Sequence, residues 1–162
     1  MTTTLDVRPL GADDRQWLRD VLASSWGSAV VVTLTGARDA SSLAGFVAMS
    51  GGERAGVVTY ELDARHDCEV VTLNSYVTGR GVGTALLDAV RAVAAPVGCA
   101  RLWLTTTNDN TAALRFYQRR GWNLVALHRD VLTEWRRLKP GMSELGIDSI
   151  PMRHALELEL RL

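Results

Sequence analysis

Three glycines at alternate positions, Gly79, Gly81 and Gly83, separate an apolar run from a helix-like one within Glu69–Leu87 (EVVTLNSYVTGRGVGTALL). A chain leaving a strand through so bare a turn enters a helix whose first N–H groups lack acceptors. Those groups and the positive end of the helix macrodipole face the turn, so the junction reads as an anion site. The helix carries Leu86, Leu87, Val90 and Val93 on one face and must stop by Pro96. Arg101–Thr106 follows as a strand, which makes strand, helix and strand a parallel crossover. The layout then recurs in Leu102–Trp122 (LWLTTTNDNTAALRFYQRRGW), with Asn110 or Asp109 capping a helix that runs to Arg120 and stops at Gly121.

Upstream, Leu5, Val7 and Leu10 mark a short edge strand running into Arg8-Pro9. Asp13-Asp14 opens a helix with Trp17, Leu18, Val21 and Leu22 on one face, ending near Ser24–Gly27. Val30–Leu34 is β-branched and reads as a strand, and Gly36–Ser42 as a loop. Leu43–Ser50, Arg54–Leu62 and Glu69–Asn74 are three strands, the first two split by Gly51-Gly52; their short connections make them antiparallel neighbours. Downstream come a strand at Trp122–Leu127, a short helix at Asp130–Leu138 and a Pro/Gly-punctuated connection over Lys139–Pro151. The half-buried strand Ala155–Leu162 closes the order, its apolar residues alternating with Glu157, Glu159 and Arg161. Strands first and one crossover later predict an α+β fold on a mixed sheet, and 162 residues suit one domain.

Eighteen basic residues, all but Lys139 arginine, balance eighteen acidic ones. A chain of zero formal charge lacks the electrostatic footprint of a nucleic-acid binder. No apolar run reaches the ~18 residues of a membrane span. Cys68 and Cys99 sit in apolar elements as small hydrophobes, no spacing suggests a metal, and MTTTLDVRPL does not read as a signal peptide. The expectation is a cytoplasmic protein.

The glycine turn has no Lys for a Walker loop, and Leu86 stands where a dinucleotide fingerprint needs its third glycine. Thr78-Gly79-Arg80-Gly81-Val82-Gly83 instead resembles the acetyl-CoA loop of the Gcn5-related N-acetyltransferase (GNAT) family, Gln/Arg-x-x-Gly-x-Gly/Ala. Asn110, Ala113, Phe116, Tyr117, Gly121 and Trp122 keep every spacing of that family's second motif. Thr78 departs from it, standing where Gln or Arg is usual, and Arg80 is the candidate to supply the missing charge.

The resemblance implies a GNAT acyl-CoA N-acyltransferase fold, a mostly antiparallel mixed sheet of about seven strands with helices on both faces. It also implies acetyl transfer from acetyl-CoA, without a metal, to a primary amine of a small molecule, protein or peptide. Gly79, Arg80, Gly81, Val82, Gly83 and Thr84 would grip the pyrophosphate, while Leu73, Asn74 and Ser75 would pair with the pantetheine arm. Asn110, already explained as an N-cap, is a further contact candidate. Tyr117 is the general-acid candidate, because a phenol near pKa 10 keeps the proton that a thiolate near 8.5 needs. Glu69 is the leading base candidate; His66, His128 and Asp67 are weaker ones. Two rivals are a non-catalytic acyl-CoA-binding regulatory module and an acyltransferase using another acyl-CoA. No nucleic-acid or membrane partner is expected, and a homodimer is left open.

Overall fold

The structure, a computed structural model, describes residues 4–162. Met1–Thr3, part of the stretch read for a leader, lie outside the described residues. Seven strands form one mixed sheet: β1 (Leu5–Pro9), β4 (Ala44–Ser50), β5 (Glu53–Leu62), β6 (Cys68–Ser75), β7 (Arg101–Thr107), β8 (Asn123–His128) and β9 (Ala155–Arg161). Their spatial order is β1-β4-β5-β6-β7-β9-β8, and every neighbouring pair is antiparallel except β6–β7. This is the expected GNAT-type sheet. Sequence neighbours are sheet neighbours up to β7; β9 then inserts between β7 and β8.

Helices cover both faces. Helix α2 (Val82–Ala94) lays Leu86, Leu87, Val90 and Ala94 on one face, against Phe46, Val58, Cys68 and Val70. The helix can seat closely because β5 has a glycine beneath it. A Cβ at Gly56 would lie 2.5 Å from Val82 Cγ1 and 2.7 Å from the Asn74 carbonyl. Helix α3 (Thr111–Gln118) joins the same core through Ala113, Leu114, Phe116 and Tyr117. On the opposite face, α1 (Arg15–Trp26) packs Leu18 and Leu22 against Val57 and Ala40. It ends at Gly27 in the left-handed conformation (φ 80°). Helix α4 (Val131–Leu138) adds Leu132 and Trp135 against Val32 and Ala155.

Two local expectations change. Gly36–Ser42 is not a loop: Gly36–Asp39 is a strand, β3, paired with β2 (Val30–Thr33) in a separate hairpin, and Ala40–Ser42 forms a 3-10 turn. Arg38 is drawn inward by two carboxylates, so this polar stretch is fixed by tertiary contacts and not by its own propensity. Nor do all the polar residues of β9 face solvent. Glu159 is buried, and Arg101 of β7 bonds Asp67, Glu157 and Glu159 at 2.9–3.1 Å.

The chain entering α1 is tied to the sheet by Asp14, buried yet charged. Arg8 donates to it at 2.7 Å, Arg54 at 2.9 Å and the Gly11 N–H at 2.8 Å. The hydrogen bond from Arg8, followed by those from Gly11 and Arg54, holds its carboxyl well below the usual value near 3.8, against the opposing effect of burial. A depressed folded-state pKa contributes stability above the unfolded value, lost as pH falls toward the folded one. Asp14→Asn should therefore lower stability at pH 7. The gap to the unsubstituted protein should narrow below about pH 4, as read by urea denaturation across pH 7 to 3.

Candidate active site

The site begins where β6 and β7 part. Their parallel pairing holds only Cys68 to Leu102 and Glu69 to Trp103. A β-bulge coincides with the break. Thr59 pairs with Thr72 and Tyr60 with Val70, which leaves Val71 as an extra residue on β6. A bulge bends its strand and increases its twist, so β6 swings away from β7 as the two run forward. From Val70 onward the β7-facing edge of β6 has no strand partner. That edge is a template for an added extended chain. Leu73, Asn74 and Ser75 lie along it. The Asn74 amide donates to Ser25 Oγ at 3.0 Å, and the Ser75 hydroxyl bonds the Val77 carbonyl.

The parted strands open a cleft of about 640 Å³. Val70 to Leu73 form one wall and Leu104 to Thr107 the other; Asn110, Ala113 and Tyr117 close one end. Trp26, Gly27, the β2 residues Val31–Thr33, Trp135, Lys139 and Gly141–Ser143 line the side away from α2. Tyr117 is buried between Phe116 and Trp122, with ring centroids at 5.1 and 5.2 Å. Burial raises its phenol well above the usual value near 10, so the proton is retained at neutral pH. Among the described residues nothing hydrogen-bonds its hydroxyl, which is not among the enclosed polar atoms.

Glu69 lies at the apex, in the last β6–β7 pair, and only 2% of it is exposed. Its Oε2 accepts from Thr35 Oγ1 at 2.8 Å and from Arg38 Nη2 at 3.0 Å; Oε1 is enclosed with no donor. Arg38 also bonds Glu61 at 2.6 Å. Glu69 is legible in the sequence, but its arginine comes from the β2–β3 hairpin, part of which reads as a loop. Glu69 sits just behind the cleft wall, which begins at Val70; the carboxylate that does line the cleft, Asp109, presents itself in the sequence only as a helix cap. Asn110 takes that place, its Oδ1 accepting from the Ala113 N–H at 3.1 Å. Asp109 is instead buried on the cleft wall. The weaker base candidates lie off the cleft wall: His66 and Asp67 on the β5–β6 turn, His128 beside Glu157.

At the mouth, Gly79 and Gly81 adopt left-handed backbone (φ 73° and 71°), and a Cβ at either would meet nothing within 4 Å. Such alternation turns successive N–H groups toward one side. The first turn of α2 closes only at the Ala85 N–H to Gly81 carbonyl bond, and no side chain caps it. The N–H groups of Val82, Gly83 and Thr84 are thus without helical acceptors. Val82 buries its side chain, so it offers the mouth only backbone. Gly83 serves packing, since a Cβ there would lie 2.8 Å from Phe116 Cζ. Thr84 Oγ1 accepts from Arg120 Nε at 2.7 Å, and the guanidinium of Arg120 lies 3.7 Å over the Phe116 ring. Arg115, Arg119 and Arg120 line a cavity of about 610 Å³ beside this turn, and exposed Arg80 stands at its other flank. Anion-accepting N–H groups flanked by arginines suit a phosphorylated ligand.

A family model described as Acetyltransferase (GNAT) family matches residues 13–122. The chain belongs to the GNAT acetyltransferase family. It is 37% identical over 140 residues to the uncharacterized protein YdhI of Bacillus subtilis (strain 168), across 86% of this chain and 87% of that one. In fold it is similar to an IAA acetyltransferase from Bacillus cereus ATCC 14579 (TM-score 0.71, 17% identity, 98% and 100% coverage). It is also similar to a GNAT family acetyltransferase from Elizabethkingia anophelis with acetyl-CoA bound (TM-score 0.70, 16% identity, 98% of each chain). Among the described residues no helix is long and apolar enough to cross a membrane. No group of three or more His, Cys, Asp or Glu among the described residues is placed to hold a metal.

The Glu69–Arg38 pair gives a test of the apex. Removing one member of a buried pair strands the other charge, which costs about 3–5 kcal/mol, whereas an exposed partner is worth under about 1 kcal/mol. Arg38→Ala should therefore destabilise by about 3 kcal/mol or more. Glu61→Gln, with its side chain 44% exposed, should change stability by less than about 1 kcal/mol in chemical denaturation.

Proposed function

We propose that this GNAT-family chain moves the acetyl group of acetyl-CoA directly to a primary amine of a small molecule, protein or peptide. The observation that carries this reading is the parting of β6 and β7 after Glu69 and Trp103, beside an uncapped α2 and beneath a protonated tyrosine. The N–H groups of Gly79 to Thr84 receive the pyrophosphate oxygens. Arg80 supplies charge from one side, in place of the long polar side chain that Thr78 lacks. The arginine-lined groove of α3 lies on the other side and suits the remaining phosphate of CoA. The free edge of β6 over Leu73–Ser75 pairs with the pantetheine arm. Asn110, on the cleft wall, is a further contact.

This path leads the thioester into the cleft, where a backbone N–H near Leu73 or Asn74 stabilises the oxygen as charge develops on it. The amine nitrogen forms the new bond to the acetyl carbon as the carbon–sulfur bond breaks. Tyr117 gives its proton to the departing thiolate, a transfer its burial-raised pKa permits at neutral pH. An alkylammonium is neutral in only about one molecule in 10³ at pH 7, so a base is worth up to ~4–5 kcal/mol. Glu69 is proposed for this role through Oε1, the oxygen that Thr35 and Arg38 leave free, by way of a relaying water.

Tyr117→Phe should lower turnover by about 10²-fold or more with acetyl-CoA affinity retained, measured by thiol release and calorimetry. Unchanged turnover removes Tyr117 as the acid. Arg80→Ala should raise the KM for acetyl-CoA with kcat little changed; an unaltered KM removes Arg80 from the phosphate grip.

A further inference from the structure

Asp109, on the short connection from β7 to α3, is 4% exposed and lines the cleft. Its Oδ2 accepts the Ile147 N–H at 2.9 Å, while Oδ1 is enclosed and has no donor. No arginine, lysine or histidine among the described residues forms an ion pair with it. Lys139 is the one cation on the cleft wall among those residues, and its Nζ is spent on the Trp26 and Val30 carbonyls at 2.6 and 2.8 Å. A carboxylate enclosed with one oxygen free is costly to keep unless a cation completes it. The backbone of the Gly141–Pro151 segment presses directly on this one: a Cβ at Gly146 would lie 2.1 Å from Oδ2.

The cleft wall does not supply that cation, and its largest side chains on this side are apolar. Trp26, Val31, Val32, Trp135, Met142 and Met152 line it. Resting on the acetyltransferase reading above, we infer that Asp109 is the ammonium-binding residue of the cleft and that the acceptor is a primary amine on an apolar body. The apolar body lies against the tryptophan and methionine side chains, and its ammonium fills the free side of the carboxylate. Asp109 precedes the helix that carries Tyr117, and the two side chains line one space, so the held nitrogen stands on the acetyl-transfer side of the cleft. The segment that packs on Oδ2 through Gly146 and Ile147 goes on to hold Asp148 and Ser149 in left-handed backbone (φ 56° and 58°), and the ammonium reaches the enclosed Oδ1 as the groups around it shift.

Asp109→Asn tests this cleanly, since an amide oxygen still accepts the Ile147 N–H. Hexylamine and phenethylamine are assayed for thiol release from acetyl-CoA. Phenethylamine and neutral 2-phenylethanol are titrated calorimetrically into the CoA-saturated protein. The substitution should lower kcat/KM for both amines about 10-fold or more, with the KM for acetyl-CoA and the binding of 2-phenylethanol unchanged. Equal kcat/KM in the two proteins overturns the inference and leaves the acetyltransferase reading standing. Should the unsubstituted protein turn over neither amine, that reading fails for this class, and binding decides the inference. Tighter binding of phenethylamine than of 2-phenylethanol, lost in the variant, supports Asp109; no binding of phenethylamine, or equal binding by both proteins, overturns it.

Discussion

The separation of two parallel strands after two residue pairs is the constraint on which the rest of this structure depends. A parallel pair buried on both faces would ordinarily continue, because each unpaired N–H and C=O loses a hydrogen bond. Here the Val71 bulge turns β6 aside, and the β2–β3 hairpin, α4 and the Lys139–Ser143 stretch line the opening. A sheet interrupted in its middle exposes backbone at a depth where side-chain walls exclude bulk solvent. The same break places a free strand edge and a helix-borne tyrosine around one space. It also sets the polarity of the site: the glycine turn is reached from the end of β6 and Asn110 from the end of β7, at the same end of the sheet.

The two motifs are mechanically one object. Gly83 is small because Phe116 needs its space; Phe116 carries the Arg120 guanidinium; Arg120 returns to Thr84 one residue beyond Gly83. This contact fixes the N-terminus of α2 against α3, so the uncapped N–H groups and the Tyr117 hydroxyl hold a set relation. Phe116 therefore links the glycine turn to Tyr117, although it carries no chemistry of its own. Gly79 and Gly81 contribute something else, open space beside left-handed backbone. Glycines within one short motif thus answer to two distinct physical demands.

Much of this is legible in the sequence wherever the signal is local. The 3.6-residue period of α2, the cap at Asn110 and the glycine spacing each follow from residues a few places apart. What cannot be read depends on partners far along the chain. A β-branched run such as Val70-Val71-Thr72 looks the same with or without a bulge, because register is decided against β5. Arg38 gives no strand signal because its fold is set by Glu61 and Glu69. The insertion of β9 between β7 and β8 turns its alternating carboxylates from a solvated face into partners for Arg101. Asp109 is the hardest of these to see. Asn110, beside it, is a complete explanation of the helix start, and the Gly146–Ile147 backbone that packs on the aspartate is distant in sequence.

Glu69, at the strand junction behind the cleft, and Asp109, on its wall, are carboxylates held in different ways. Both are enclosed, and both keep one oxygen without a donor. Glu69 shares its other oxygen with an arginine and a hydroxyl, so its charge is already balanced and its position fixed from behind. Asp109 shares its other oxygen with a single backbone N–H, which orients the group but leaves its charge uncompensated. A balanced carboxylate gains little by binding a cation tightly. An uncompensated one gains most from an arriving cation, because that cation relieves the burial cost already incurred. Electrostatics thus separate the two: the proposed amine site falls on the carboxylate without a charged partner, and the proposed base is the one that has one.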